Sequence, residues 1–453
     1  MLSEVLSRMR IRDVVIGANA SMYYRLNFKK IKGVYYPRTE QEVIGAIKHA
    51  QSNGFTVTPK GGGSGLSGAC TGGNDERVMI SSLQMKEILT VSKDQGYIDV
   101  QPGIALDKIN EFLNPMGMRF FVAPSSKDVA TAAGVLSTDG GGNDTWVNGT
   151  MRDSTISVKM VLYDGRLVSV DSKGVKSNDS DLETRLNEIG VTLNDVASSH
   201  GTLGFITEMR LLIRPVVDET LIGGLAEFSE CNALGKVLTD MIERKIPVRY
   251  GEAITTAHKD VREDFDPPFL ILEFPEENEA DIRDITDYKP LDPTQLARMK
   301  DIRIKLPKRN PNEGVQFALF EGYGFHGESL LKLQDNLSEV ETLLKDHGIT
   351  PFSKYGHGPS KWYLGDNTPT YGLILHSREI RPEGKTGVEL LNTVLALVDK
   401  CEELGITPKP EHKWPFSDAV KKKRLEDIRQ VIGKGFNPFL LSPECNDVLG
   451  SMV

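Results

Sequence analysis

Five of the eight residues from Gly61 to Gly68 are glycine, in the run Pro59-Lys-Gly-Gly-Gly-Ser-Gly-Leu-Ser-Gly68. Gly63-Ser-Gly-Leu-Ser-Gly68 satisfies the G-x-G-x-x-G pattern of dinucleotide-binding folds, which needs a helix directly behind it. The following Ala-Cys-Thr-Gly-Gly-Asn is too rich in glycine and polar residues to start one. No Lys-Ser/Thr pair follows either, which excludes a phosphate-binding P-loop. What remains is strand, loop, strand, with backbone N–H groups able to converge on an anion such as a diphosphate without a helix. Glycine content alone favours a plain surface loop, so a second signal is required.

With 453 residues the chain exceeds what one hydrophobic core serves, and two or three domains are expected. A formal charge of −9 disfavours nucleic acid and anionic membrane as partners. The one basic run, Lys421-Lys-Lys-Arg424, reads as the solvated face of a helix. Cys70, Cys231, Cys401 and Cys445 are too scattered for a zinc knuckle or an iron–sulfur cluster. They fit a reducing, cytoplasmic location. The N-terminus lacks the apolar core of a signal peptide, and no run reaches the ~20 apolar residues of a membrane span.

Short β-rich runs alternate with amphipathic helices from Val34 onward, and Asp164-Gly165 marks a hairpin between Thr155–Leu162 and Arg166–Val170. The run Thr202–Arg214 ends at Pro215, where a domain boundary is placed. Beyond it, β-then-helix units at Phe269–Phe274 and Val315–His347 suggest an α+β domain with an antiparallel sheet covered on one face.

The second signal is the small-residue segment from Pro124 to Gly142, continued by Gly149-Thr-Met-Arg-Asp153. Its hydroxyls and small side chains allow a flat ligand to approach closely, and a helix starting near Ser126 would aim its N-terminus at a phosphate. Alone, the segment is equally consistent with tight helix packing. Taken with Pro59–Gly68 and Gly201-Thr-Leu-Gly-Phe-Ile-Thr207, it resembles the FAD-linked oxidases of the vanillyl-alcohol oxidase and p-cresol methylhydroxylase family. Within that family the chain is most similar to the flavin subunit of glycolate oxidase and the FAD-dependent D-lactate dehydrogenases.

The resemblance implies an α+β protein with a two-subdomain FAD-binding domain at residues 1–217. A cap domain at 218–405, an antiparallel sheet covered by helices, is inserted before a segment at 406–453 that returns to the FAD domain. It assigns FAD contacts to Pro59, Lys60, Gly61, Gly62, Gly63, Ser64, Gly65 and Leu66 in the first loop. Further contacts are Pro124, Ser125, Ser126, Thr131, Gly134, Thr138, Gly140, Gly141, Gly149 and Arg152, then Gly201, Gly204, Ile206 and Asn437. His200 departs from the glutamate usual in the family before Gly-Thr-Leu-Gly. Residues 59–68 contain no histidine for covalent attachment, so dissociable FAD is expected.

Oxidising a 2-hydroxy acid takes an acceptor for the hydroxyl proton and a cation for the carboxylate. Eight histidines narrow the search. His412, in Lys409-Pro-Glu-His-Lys-Trp414, falls where the resembling family carries Glu-His-Gly and its proton acceptor. His376 is the surviving half of a family metal motif whose other position is Pro369. Glu411 and His376 lack a third ligand, so the metal stays unassigned. The segment Lys354–Tyr363 reads as a substrate-facing loop in which Tyr355 and His357 are alternative acid–base groups. Arg378 and Arg249 are candidates for the substrate carboxylate. The expected activity is FAD-dependent oxidation of a glycolate- or D-lactate-like acid, with an unidentified electron acceptor and homo-oligomerisation left open. The alternatives are a sugar, aldonolactone or other secondary alcohol as substrate, or a non-catalytic flavin subunit of a complex.

Overall fold

The computed structural model describes residues 31–65, 69–70, 75–256, 267–305, 316–317, 322–380, 387–408, 418–433 and 435–436. The first unit is a three-stranded parallel sheet of β1 (Ile31–Tyr35), β2 (Thr56–Lys60) and β3 (Arg77–Ser81), in the order β1-β3-β2. Helix α1 (Glu40–Ser52) connects β1 to β2 and buries Val43, Ala46, Ile47 and Ala50. Its start is fixed by Thr39, whose hydroxyl accepts the Glu42 N–H at 3.2 Å, with Glu40 and Glu42 in the positive first turn. The glycine run therefore leaves the end of β2 and the chain returns through β3, the expected strand–loop–strand.

A second, antiparallel sheet contains β4 (Ile88–Ser92), β5 (Tyr97–Val100), β6 (Thr155–Val161), β7 (Leu167–Asp171), β8 (Val175–Ser177) and β9 (Phe205–Leu212). Their order is β4-β5-β9-β6-β7-β8. β6 and β7 form the hairpin signalled by Asp164-Gly165. Helices α2 (Leu106–Leu113), α3 (Ala132–Thr138) and α4 (Thr145–Asn148) precede β6. Leu106, Ile109, Ala132 and Leu136 from the first two pack into this sheet's core.

The third sheet is antiparallel and carries β10 (Leu221–Glu227), β11 (Tyr250–Thr256), β12 (Phe269–Pro275), β13 (Gly322–Phe325), β14 (Thr350–Tyr363) and β15 (Pro369–Ile380) in the order β10-β12-β11-β14-β15-β13. Helices α5 (Cys231–Glu243), α6 (Leu333–Asp346) and α7 (Gly387–Glu403) cover one face. There Leu238, Met241, Val340, Leu344 and Leu397 meet Ala253, Leu272, Leu373 and Leu375. The period-2 alternation of strands sends Ile254, Tyr355, Ile374 and His376 to the opposite face. Part of that face is closed by Leu296 and Met299. The rest is left for the site described below.

Helix α8 (Ala419–Ile432) packs Leu425, Ile428 and Ile432 into the core of the second sheet. This corrects the reading of the basic run at 421–424 as a solvated face. Lys421 is buried and donates to the carbonyls of Asn194 and Ala197 at 2.9 and 2.8 Å. Arg424 forks onto Asp195 at 2.9 and 3.0 Å. Lys421 and Arg424 are turned onto the carbonyls and carboxylate at the end of the 189–197 loop, while Lys423 stays exposed.

Candidate functional site

A cavity of about 540 Å³ lies where the three sheets meet. One wall is the glycine run. A Cβ on Gly61 would strike the Thr131 hydroxyl, and one on Gly62 would strike the Val129 carbonyl. Gly63 adopts φ +74°, a left-handed conformation that favours glycine. At Gly65 a Cβ would meet nothing within 4 Å. The glycines thus let the first loop lie directly against the 124–142 segment and leave open space beyond it. On the adjoining wall, Gly201 at φ +71° sits against Pro59, with 3.3 Å between the Pro59 Cγ and a Cβ built there.

Pro59 through Gly65, Pro124, Ser125, Ser126, Thr131, Gly134, Thr138, Gly140, Gly141, Gly201, Gly204 and Ile206 all line this cavity. Leu66 and Asn437 lie outside the described residues. Gly149 and Arg152 are not on its walls. Gly149 takes φ +76°, and its missing Cβ makes room for the Asp153 carboxylate. Arg152 is buried, donates from Nε to Asp139 at 2.5 Å and from Nη1 to Asn367 at 2.8 Å, and stacks 4.1 Å over the Tyr363 ring. Its guanidinium ties the 139–153 loop to the β14–β15 hairpin.

The expected helix from Ser126 starts instead at Ala132. The Ser126 carbonyl accepts the N–H groups of Val129 and Ala130 at 2.9 and 2.7 Å, closing a turn, and Thr131 is extended at φ −92°, ψ 152°. Wall residues that the sequence did not signal include Ser82 and Pro102. Ser82 and Pro102 come from strand ends whose approach depends on the packed sheets, and nothing local marks them.

Two wall hydroxyls, Ser82 Oγ and Thr131 Oγ1, are buried and make no hydrogen bond among the described residues. Such groups cost free energy unless a ligand satisfies them. Thr131→Val is therefore expected to leave folding intact while weakening FAD binding about 3- to 10-fold, the worth of one hydrogen bond. Equal affinity in a titration of the two proteins would show that this hydroxyl does not meet the cofactor. His200 is buried on the wall at φ +51°, and its backbone N–H donates to the Ser137 carbonyl at 2.8 Å. Burial pushes the Cys70 thiol, also on the wall, above its ordinary range.

The third sheet contributes Tyr355, His357 and His376. Lys354–Tyr363 is not the loop read from its glycines and proline but most of strand β14. Antiparallel pairing to β11 and β15 satisfies its backbone, and its alternation separates two roles. Lys354 faces α6 in an ion pair with Glu341 at 2.5 Å, while Tyr355 and His357 face the cavity. The His357 and His376 rings lie 5.7 Å apart, and those of Tyr355 and His376 6.0 Å. His357 Nδ1 lies 2.6 Å from Ser360 Oγ, which donates to the His357 carbonyl at 2.9 Å. Glu252, buried on β11 opposite His357, accepts from Asn143 Nδ2 at 2.7 Å, a direct contact between this sheet and the second segment.

Glu411 and His412 lie outside the described residues, and Arg378 is on β15, opposite Ser353. Arg249 is not on the wall. It forks onto Glu219 at 2.8 and 2.7 Å, and that bonding holds the Glu219 carboxyl below its usual range. Among the described residues no three His, Cys, Asp or Glu side chains cluster as metal ligands. The neighbour of His376 is His357, brought there by hairpin pairing, whereas Pro369 sits opposite Tyr363 near the turn.

Residues 31–171 match a family model described as an FAD binding domain. The chain is 25% identical over 216 residues to a probable mitochondrial D-lactate dehydrogenase of Danio rerio, covering 48% of this chain and 41% of that protein. It is 30% identical over 190 residues to a D-lactate dehydrogenase of Archaeoglobus fulgidus, covering 42% and 39%. With a mitochondrial D-2-hydroxyglutarate dehydrogenase of Bos taurus it shares 27% over 214 residues, covering 45% and 37%. These matches span about two fifths of the relatives' own lengths. A solved alkyldihydroxyacetonephosphate synthase superposes with a TM-score of 0.61 at 17% identity, covering 88% of this chain and 75% of that one, and shares the fold. Among the described residues no helix is long and apolar enough to cross a membrane.

Proposed function

We propose, for a chain that carries an FAD-binding domain of the vanillyl-alcohol oxidase type, the FAD-dependent oxidation of a 2-hydroxy acid of the glycolate or D-lactate kind. The observation that carries this reading is the convergence of both glycine-rich segments and the third-sheet histidines on one cavity. The relatives named as D-lactate and D-2-hydroxyglutarate dehydrogenases support the substrate class. Bound FAD supplies a hydride acceptor at flavin N5, with two electrons passing on to an unidentified acceptor.

The chain's own residues hold and orient. Backbone N–H groups of Gly61 to Gly65 and the hydroxyls of Ser82 and Thr131 suit the diphosphate and ribose, and Gly140 and Gly141 leave room for a flat ring. FAD is held noncovalently, since no histidine lies in the first loop. A histidine on the cap side takes the substrate's hydroxyl proton. His412 is the residue the family resemblance favours, and His357 and His376 stand on the described wall.

The test is an anaerobic absorbance scan of the flavin-loaded protein against 2-hydroxy acids, sugars and aldonolactones. A 2-hydroxy acid should bleach the flavin. Bleaching by a sugar or lactone alone would move the substrate class, and no bleaching by any of them would leave a flavin-binding subunit without this chemistry.

A further inference from the structure

We propose that residues 139–153 couple cofactor binding to the docking of the β14–β15 hairpin. FAD is held more tightly when the hairpin is docked, and the hairpin docks more firmly when FAD is bound. The inference rests on FAD binding in this cavity and not on the substrate class.

One short segment makes both contacts. On its inner side Gly140, Gly141 and Gly142 line the cavity. A Cβ on Gly142 would stand 2.6 Å from the Ala123 carbonyl, so this wall is backbone pressed against backbone. On its outer side the segment's side chains reach the third sheet. Asn143 donates to Glu252 on β11 at 2.7 Å, and the Trp146 indole donates to the Ile246 carbonyl at 2.7 Å. Arg152 bonds Asn367 at 2.8 Å in the turn between β14 and β15, and Asp153 accepts from Lys361 and Tyr363 of β14 at 2.8 and 2.5 Å.

Short links join the two sides. Asp139 sits at φ +51°, and its carboxylate accepts from the Arg152 backbone N–H at 3.0 Å as well as from Nε. The Gly140 carbonyl accepts the Met151 N–H at 2.9 Å. A shift of Gly140 away from the cavity therefore carries Asp139, Met151 and Arg152 with it, and through Arg152 the hairpin turn. Apart from the single turn of α4, the segment has no regular secondary structure of its own. What it touches on each side sets its conformation, and such segments belong to the low-stability end of a fold.

Filling the cavity fixes the inner side, and the hairpin then docks on a surface already ordered. Binding free energies linked in this way are reciprocal. The factor by which a docked hairpin raises FAD affinity equals the factor by which FAD favours docking. Lys361, Tyr363 and Asn367 are thus positioning residues for a cavity they do not line.

Two measurements on the full chain test this. Hydrogen exchange at residues 361–370 should slow at least ~5-fold when the apo protein is saturated with FAD, the lower end of ordinary coupling between sites. Exchange in α6 should change little. No slowing at 361–370, or equal slowing in α6 as global stabilisation would give, overturns the inference while FAD binding stands. In fluorescence titration, Lys361→Met/Tyr363→Phe and Asn367→Gly should each bind FAD at least ~5-fold more weakly than the parent. Glycine keeps the left-handed φ of +66° at position 367 and removes only the carboxamide. Lys332→Met, which breaks an exposed ion pair with Glu328, should bind as the parent does. Parental affinity in both seam variants overturns the coupling, as does equal weakening in Lys332→Met. If a seam variant fails to fold, the exchange comparison decides alone. A parent protein that takes up no FAD removes the FAD reading and this inference together.

Discussion

Replacing Gly62 with valine should weaken FAD binding about 10²-fold. A Cβ there would run into the Val129 carbonyl, a backbone atom that no rotamer change moves aside. Either the first loop or the Ser126–Ala130 turn must shift, and both form the cavity wall. Overpacking costs ~1–3 kcal/mol, and a clash with backbone belongs at the upper end. At ~1.4 kcal/mol per tenfold, about 10²-fold in affinity is lost. Gly65→Ala is the matched control. A Cβ at Gly65 meets nothing within 4 Å, so that chain should fold normally and lose affinity only to the extent that the methyl invades the ligand's space. Parental FAD affinity in Gly62→Val, measured by fluorescence titration, would show that the two segments do not jointly hold the cofactor.

Arg152→Met is the second large effect expected, and it falls on stability. Arg152 and Asp139 are an ion pair with side chains only 4% and 6% exposed. Removing the cation leaves a buried carboxylate, which typically costs ~3–5 kcal/mol. The bonds to Asn367 and the stacking on Tyr363 go with it. Arg152→Lys should recover only part of the loss, because a single ammonium does not reproduce a planar fork that spans Asp139 and Asn367 at once. Neighbouring Asp153 adds a parallel link, accepting from Lys361 Nζ at 2.8 Å and the Tyr363 hydroxyl at 2.5 Å. Urea unfolding should therefore show an earlier midpoint in Arg152→Met, with the β14–β15 hairpin more open to hydrogen exchange. A midpoint equal to the parent's would mean that water enters and solvates Asp139.

The two segments that wall the cavity were legible because they depend on residue type at close spacing. Five glycines in Gly61–Gly68 and the hydroxyl-rich run from Pro124 mark loops that exclude side chains, whatever surrounds them. The parallel β1–α1–β2 unit and the Asp164-Gly165 hairpin are likewise local signals. What the sequence hid was set by pairing across distance. His357 and His376 are neighbours only because β14 and β15 are in register, and Gly356, Gly358 and Pro359 disguised β14 as a loop. Arg152 carried a family motif that suggested a cofactor contact, yet its partners Asp139 and Asn367 could be found only once the hairpin was packed against the 139–153 loop. Arg249 was misread for the same reason, since Glu219, 30 residues earlier, already occupies its guanidinium.

The account stands or falls most directly on whether this chain binds FAD, and an absorbance spectrum of the purified protein, before and after addition of FAD and gel filtration, measures it. The predicted result is an oxidised-flavin spectrum at about one equivalent per chain, with acid precipitation carrying the yellow colour into the supernatant. Colour held in the pellet would contradict the noncovalent attachment. A folded, colourless protein that emerges from the column without added FAD would contradict the central claim.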